Sequence, residues 1–285
     1  MTRRRFPVGK TLLYGFMSLW ALTTIYPFIW VILNSSKPRG LIRSDTFSLP
    51  IGDKFTLENY VAAFKRVDIG TAYVNSIVIS GAVTVVVMVL AGLAAYAMVR
   101  YSFRLRGFLH SMIIASMMFP VFSTIIPVFR MESSWGIVNT GSIWLTRLSV
   151  VLPQIAGNLS FAIIVLMGFI RSLPVDLEEA AYLEGYNVYQ IFFRIIMPLA
   201  KPSFATVGIF TFLWSYNDLF LQMFFLRSKK FFTITRLLNE ISSQAGTNYG
   251  LMVAAVVMVV IPVLVVYIFL QNYIIKGMTA GAVKG

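Results

Sequence analysis

Residues able to carry out chemistry are scarce in this chain of 285 residues. The sequence has no cysteine, which excludes disulfides, thiolate metal sites and catalytic thiols. Its one histidine, His110, excludes a histidine-clustered metal centre and most histidine-dependent catalysis. No apolar segment holds two acidic residues that could act as a general acid and base. We therefore predict no catalytic residue, no metal site and no cofactor bound by this chain.

One acidic residue, Asp218, lies within a long apolar segment. An ionisable residue inside a membrane segment suggests a functional site, although it can equally be hydrated near the end of the segment. Aromatic and amide side chains in the neighbouring segments are suited to binding a polar solute, but they also commonly bridge helices. The candidates for a solute pathway are Gln154, Asn158, Trp214, Tyr216, Asn217 and Asp218.

A second group of chemically distinctive residues lies in the polar segment 171–202, where acidic residues are concentrated. Asp176 followed three residues later by Glu179 matches a capping box, which predicts a helix over 177–184. Gly185 suits the left-handed residue that ends such a helix. The segment therefore begins with a short helix and a tight turn.

Asn187 and Gln190 repeat the capping pattern and predict a second helix over 188–196 that ends before Pro198. Together the two helices form an elbow on the membrane surface. Small apolar side chains on an exposed helix are suited to insertion into a groove of a partner. Those on the first arm of the elbow are Leu177, Ala180 and Ala181.

Composition indicates the elements that must position these residues. Apolar residues make up 58% of the chain and charged residues 12%, and the mean hydropathy is +0.79. A soluble domain has about 45–50% apolar and about 25% charged residues, so the chain is predicted to be an all-α polytopic membrane protein. The six predicted spans are residues 11–33, 74–99, 108–128, 148–170, 203–226 and 251–275, and the third is predicted to be broken by Pro120 and Pro127.

The net charge of +13 comes from cations at the ends of the apolar segments, which favours membrane flanks over a nucleic-acid surface. Lys and Arg are equally numerous on the two sides of the predicted membrane, so the orientation depends on the short segments dense in these residues, such as 1–10, which favour cytoplasmic termini. The predicted organisation is a cytoplasmic N-terminus over 1–10, a six-span domain over 11–275 that includes the loop 171–202, and a cytoplasmic tail over 276–285.

The loop resembles the EAA loop of binding-protein-dependent ABC importer permeases. Glu179-Ala180-Ala181, three residues, Gly185, nine residues and then 195–198 follow the family spacing. Met197 stands where Leu is usual and Glu184 where Asp is common. The resemblance implies that the ATPase-docking residues are Glu179, Ala180, Ala181, Gly185, Ile195 and Pro198.

Other positions extend the resemblance to carbohydrate permeases over most of the chain. Asn59-Tyr60, Asn75-Ser76 and the Ala95-Tyr96-Ala97 triplet are similar to family elements. Trp214 with Asn217-Asp218 resembles a Trp-Asn-Asp region, although two residues intervene. The C-terminal tail is similar to that of the smaller six-span permease of maltose-type importers, which implies an ATPase-interface role for Gly281, Val283 and Lys284.

What the resemblance implies is an ABC type I importer permease fold in a bacterial inner membrane, without enzymatic activity of its own. A second homologous permease would complete the pathway, a dimer of ATPases would bind ATP and Mg²⁺, and an extracytoplasmic binding protein would deliver carbohydrate. Two other functions remain open at this point. They are an ABC permease for a non-sugar solute and an ion-coupled secondary carrier that uses Asp218.

Overall fold

The computed structural model describes residues 8–66, 68–245 and 248–282, and in this part of the chain all regular structure is helical. The helices are α1 Val8–Ser35, α2 Leu41–Ser44, α3 Glu58–Arg66, α4 Ile69–Arg100, α5 Arg106–Ser116, α6 Val121–Ser134, α7 Ile143–Ile170, α8 Asp176–Leu183, α9 Val188–Leu199, α10 Lys201–Asn217, α11 Leu219–Phe225, α12 Ile234–Ala245 and α13 Tyr249–Ala282. The all-α prediction is confirmed. The chain forms two compact units, Met1–Asp68 with Leu238–Val263, and Ile69–Leu237 with Leu264–Gly285.

In the first unit, a network of hydrogen bonds fixes the segment that follows α1. The Asn59 amide donates to the carbonyl oxygens of Ser35 and Lys37, at 3.0 and 2.7 Å. The Ser35 and Tyr60 hydroxyls lie 2.6 Å apart. Asn59, in the predicted Asn-Tyr element, therefore satisfies backbone groups that the end of α1 leaves without partners.

The buried Lys37 ammonium group holds the next turn of the same segment. It donates to the carbonyl oxygens of Asp45 and Thr46, at 3.1 and 2.9 Å. A hydrogen bond from Lys54, at 2.6 Å, holds the pKa of the Asp45 carboxyl below its usual value. Residues 37–54 therefore form an ordered element that is fixed by hydrogen bonds.

In the second unit, α4 is the central helix and packs against α7 and α10. Ala91 and Ala95 on α4 are buried, as expected for small residues where membrane helices approach closely. A β-carbon at Gly92 would lie 2.8 Å from the Phe204 ring of α10. A larger residue at position 92 would therefore require the Phe204 ring to move.

Among the described residues, four helices are long and apolar enough to cross a membrane, namely α1, α4, α7 and the segment Tyr249–Phe269 of α13. They correspond to the first, second, fourth and sixth predicted spans. Helices α5 and α6 form a pair bent by 104°, and α9 and α10 form a pair bent by 83°. The number of spans is six if each bent pair crosses once.

Two of the predicted spans are interrupted in the structure. The break predicted at Pro120 in the span 108–128 is confirmed, because Pro120 has extended backbone at the start of α6, whereas Pro127 lies within α6 and does not interrupt it. The prediction of one uninterrupted helix over 203–226 is wrong, because Asp218 ends α10 and caps α11. Both breaks place irregular backbone in apolar surroundings, where protein must cover it.

Candidate functional site

The first arm of the elbow is α8, and it begins one residue earlier than predicted. Val175 is the N-cap in helical backbone geometry, and no side chain caps the helix. The predicted capping box of Asp176 and Glu179 is therefore wrong, since Asp176 already lies within the first turn. A carboxylate in the first turn still stabilises the positive end of the helix dipole.

The turn between the two arms forms as predicted. Gly185 has a φ of +83°, in the left-handed region that favours glycine. Its N–H donates to the Tyr182 carbonyl oxygen, and the Tyr186 N–H donates to that of Ala181, both at 3.0 Å. This pair of bonds is a Schellman motif, so Gly185 sets the angle between the arms.

The second arm is α9, whose start is confirmed and whose end is not. The Asn187 side chain accepts from the Gln190 N–H, and the Gln190 side chain accepts from the Asn187 N–H, both at 2.9 Å. The prediction that the helix ends before Pro198 is wrong. A π-helical turn over Phe192–Ile196 widens the backbone ahead of the proline, so that α9 continues to Leu199.

The predicted docking residues differ in their exposure. Glu179, Ala180 and Pro198 are exposed, whereas Ile195 is half-buried. Ala181 is buried, so its side chain packs within the unit and does not extend the outer face. The sequence analysis overlooked Leu183, which is 91% exposed on α8.

A buried acid beside the docking motif was also overlooked. Glu178 accepts a hydrogen bond from the Tyr96 hydroxyl at 2.8 Å and pairs with Arg100 at 2.5 Å. Arg100 also donates to the Leu173 carbonyl oxygen at 2.9 Å. These residues are separated by about eighty positions in the chain, and no local pattern pairs them. In the sequence, Arg100 is one of three arginines that follow the span 74–99, and these are typical of a membrane flank.

Three of the six candidate pathway residues, Gln154, Asn158 and Asp218, meet in a largely buried polar chain. The Gln154 amide donates to the Asp218 carboxylate at 3.1 Å, and Gln154 accepts from the Ser215 hydroxyl at 2.6 Å. The Asn158 amide donates to the Gln154 carbonyl oxygen at 2.7 Å. The second carboxylate oxygen of Asp218 accepts from the Leu221 N–H at 3.2 Å. Gln154 and Asp218 therefore brace α7 against the break between α10 and α11.

Two further residues, which sequence reasoning overlooked, extend this chain. The Gln222 amide donates to the Ser215 carbonyl oxygen at 3.1 Å, and its oxygen accepts from the Thr233 hydroxyl. Gln222 and Thr233 are buried. The network thus links α7, α10, α11 and the segment before α12.

The remaining three candidates are not part of this network of side chains. Trp214 is 47% exposed and packs edge-on against Phe161, with ring centroids 4.8 Å apart. Asn217 is exposed, and its amide donates to the Leu213 carbonyl oxygen at 2.9 Å. Tyr216 is buried. Of the six candidates, Trp214 and Asn217 are the most accessible.

Comparison with known proteins decides the family. Residues 87–280 match the model of the "binding-protein-dependent transport system inner membrane component" family, and this range includes both the elbow and the polar chain. The chain belongs to this family. It is a multi-pass inner-membrane permease, which excludes the ion-coupled carrier considered from Asp218 alone.

Similarity to individual proteins extends over nearly the whole permease. It is 33% identical to the diacetylchitobiose uptake permease NgcG of Streptomyces coelicolor, over 95% of this chain and 88% of the relative. It is 31% identical to the melibiose/raffinose/stachyose import permease MelC of Bacillus subtilis, over 91% of each chain.

A solved structure confirms the fold. The permease matches a chain of a bacterial ABC transporter involved in alginate import with a TM-score of 0.81 and 23% identity, over 96% of this chain and 99% of that one. The fold of the chain is therefore that of an ABC importer permease.

The structure describes the whole of the family-like Asn75-Ser76 element but only part of the predicted ATPase-interface tail. The Asn75 amide donates to the Phe232 carbonyl oxygen at 3.0 Å, and the Ser76 hydroxyl accepts from the Ile234 N–H at 2.8 Å. Both therefore fix the segment that leads into α12. Of the predicted ATPase-interface tail, Gly281 lies in the last turn of α13, while Val283 and Lys284 lie outside the described residues.

Proposed function

We propose that this permease imports carbohydrate, in the form of an oligosaccharide, across the inner membrane at the expense of ATP. The observation that carries the proposal is full-length similarity to permeases named for chitobiose-type and raffinose-type sugars. The alginate importer, whose substrate is also a polysaccharide, shares the fold. The polar chain and its neighbouring aromatic rings supply the hydrogen-bonding and stacking groups that sugars require.

The proposed assembly has a second homologous permease, two ATPase subunits and an extracytoplasmic solute-binding protein. ATP and Mg²⁺ are bound by the ATPases, since this chain offers no phosphate-binding loop in its sequence. In support, another match of this fold is an alginate importer in complex with a pentasaccharide-bound periplasmic protein. In this arrangement both termini and the elbow face the cytoplasm.

The elbow is the proposed ATPase-docking element. Its exposed residues Glu179, Ala180 and Leu183 offer one acid and small or apolar side chains to a groove of the ATPase. The buried Ala181 packs α8 against the rest of its unit, and Gly185 provides the left-handed residue of the turn. The tail residues Gly281, Val283 and Lys284 form a second proposed contact with the ATPases.

Within the pathway, accessibility separates two proposed roles. Gln154 donates to Asp218 and holds the broken helix in place, while Asn158 donates to the backbone carbonyl oxygen of Gln154 within α7. Trp214 and Asn217 are exposed and present a ring and an amide to a passing solute. We therefore assign solute contact first to Trp214 and Asn217.

The test is ATPase activity of the assembled transporter in lipid nanodiscs. The permease is co-expressed with its partner permease, ATPase and binding protein, and candidate oligosaccharides are added with the binding protein. Stimulation of hydrolysis by one oligosaccharide supports the proposal and identifies the sugar. Stimulation only by a non-sugar solute, or uptake that persists without any ATPase, would contradict it.

A variant of the elbow tests the docking role in the same assay. Gly185→Ala forces an L side chain into a left-handed position, and we expect stimulated hydrolysis to fall by about tenfold. Gly168→Ala is the matched control. It lies in α7, and an added β-carbon there meets nothing within 4 Å.

A further inference from the structure

We propose that Glu178, Arg100 and Tyr96 form the joint through which α8 moves α4. They are positioning residues for ATP-driven transport, and they contact neither ATP nor sugar. The inference rests on the proposed function, because it requires α8 to be the element that the ATPases displace. It assigns the transmission of that displacement to particular atoms.

The geometry of the joint leaves no oxygen of the carboxylate free. One oxygen of Glu178 accepts from the Arg100 Nε at 2.5 Å, and the other accepts from the Tyr96 hydroxyl at 2.8 Å. A carboxylate held at both oxygens has a fixed orientation as well as a fixed distance. Motion of α8 is therefore passed to the last turn of α4.

A third bond ties the same guanidinium group to the chain that enters α8. The Arg100 Nη2 donates to the Leu173 carbonyl oxygen at 2.9 Å. Arg100 thus holds α8 by a side chain within the helix and by a carbonyl oxygen just before it. Two attachment points resist rotation, whereas a single one would act as a pivot.

Burial makes this contact costly to break. The side chains of Arg100 and Glu178 are only 10% and 5% exposed. If one partner is removed, the other charge is left buried and unpaired, which is strongly unfavourable. The pair therefore resists separation of α8 from α4, in contrast to an exposed ion pair, which exchanges readily with water.

Tyr96 connects the joint to the second arm of the elbow. Its ring lies 5.6 Å, between centroids, from that of Phe192 on α9. Phe192 is buried, and its ring also lies 6.4 Å from that of Phe204 on α10. Both arms of the elbow therefore meet the cytoplasm-proximal end of α4 at one tyrosine.

A nearby pair of tyrosines provides a matched control. The Tyr101 and Tyr182 hydroxyls lie 2.9 Å apart and also join the end of α4 to α8. This contact is exposed and uncharged. Its loss leaves no buried charge, so Tyr182→Phe is expected to preserve coupling.

The first experiment measures sugar transported per ATP hydrolysed in proteoliposomes that contain the whole transporter. Glu178→Gln and Tyr96→Phe are compared with wild type and with Tyr182→Phe. Co-purification of the ATPases reports assembly. We expect Glu178→Gln to assemble normally and to transport about tenfold less sugar per ATP, with Tyr96→Phe intermediate and Tyr182→Phe within about twofold of wild type. Normal sugar per ATP in an assembled Glu178→Gln variant would overturn the inference.

The second experiment replaces the joint by a covalent link, and the absence of native cysteine makes this chain suitable for it. Arg100→Cys combined with Glu178→Cys removes the ion pair, and a short bifunctional thiol reagent then reconnects the two positions. If the reagent restores the amount of sugar transported per ATP hydrolysed, the contact between positions 100 and 178 persists throughout the transport cycle, as the inference requires. Failure of the linked protein to exceed the unlinked one contradicts it.

Failure of the proposed function has a different signature. In that case the wild-type chain neither retains the ATPases nor shows hydrolysis stimulated by oligosaccharide. The inference fails alone if wild type is stimulated and retains its ATPases but the variants of the joint couple normally.

Discussion

The elbow and the buried polar chain around Asp218 are built by different means. The elbow is made from contacts between residues a few positions apart, such as Asn187 with Gln190 and Ala181 with Tyr186. The polar chain joins residues about sixty positions apart, such as Gln154 with Ser215 and Asp218. The elbow is thus held by local contacts and exposes much of its surface, whereas the polar chain is held by tertiary contacts between buried side chains.

This difference implies a difference in tolerance to mutation. A local cap affects one helix end, and the free energy involved is about 1 kcal/mol. An interior hydrogen-bond network in apolar surroundings leaves several groups without partners when one member is lost. Substitutions in the polar chain should therefore reduce stability, and those on the outer face of the elbow should reduce function alone.

The largest effect on stability is expected from Gln154→Leu. This change leaves the Ser215 hydroxyl and one oxygen of Asp218 without their partners in the interior. We expect a loss of about 2 kcal/mol in the free energy of unfolding. Thermal unfolding in detergent measures it, and a midpoint equal to that of wild type would show that the network does not brace α7.

Gln190→Ala is the matched control for that variant. It removes a side chain of the same type, but from a half-buried position at a helix cap and not from a buried network. A smaller loss of stability than for Gln154→Leu is expected. Equal losses would abolish the distinction between the two regions.

An intermediate effect is expected from Asn187→Ala. The side chain caps α9, and its loss should destabilise that helix by about 1 kcal/mol. Hydrogen exchange of the amides at 188–191 provides the measurement. Asp176→Ala serves as the comparison, because the structure shows no side-chain cap at the start of α8.

The smallest effect on folding is expected from Leu183→Ser. Its side chain is 91% exposed, and surface substitutions usually change stability by less than about 0.5 kcal/mol. If α8 docks on the ATPases, the same variant should still reduce retention of these subunits in a pull-down. A variant that unfolds, or one that retains them fully, would contradict the assignment of this face.

Features that depend on local contacts could be predicted from the sequence, and features that depend on tertiary contacts could not. The apolar segments and the Gly185 turn depend on composition and on neighbouring residues. Four of the six predicted spans are long apolar helices in the described part of the chain, and the turn is confirmed. The cap at Asp176 was wrong by a single residue, because a helical Val175 extends α8 towards its N-terminus. The break at Asp218 was not predicted, since a carboxylate in an apolar segment can end a helix or remain within it.

Tertiary partners are the part that a single sequence cannot supply. Glu178 and Glu179 are adjacent and of the same type, yet one is buried against Arg100 and the other is exposed. The Glu-Ala-Ala motif singles out Glu179 and gives no indication of a role for Glu178. The choice of Glu178 for the interior follows from the rotation of α8 against α4, which arises only when the two helices pack.

Because α9 and α10 meet at a bend of 83°, a small rotation at the bend displaces the far end of α10 by a larger distance. Helix α10 has 17 residues and is therefore about 26 Å long. A rotation of about 10° at the bend would displace its far end by about 4 Å, in proportion to that length. The far end carries Trp214 and Asn217, so a small tilt where α9 meets α10 would become a movement of about 4 Å at these two side chains.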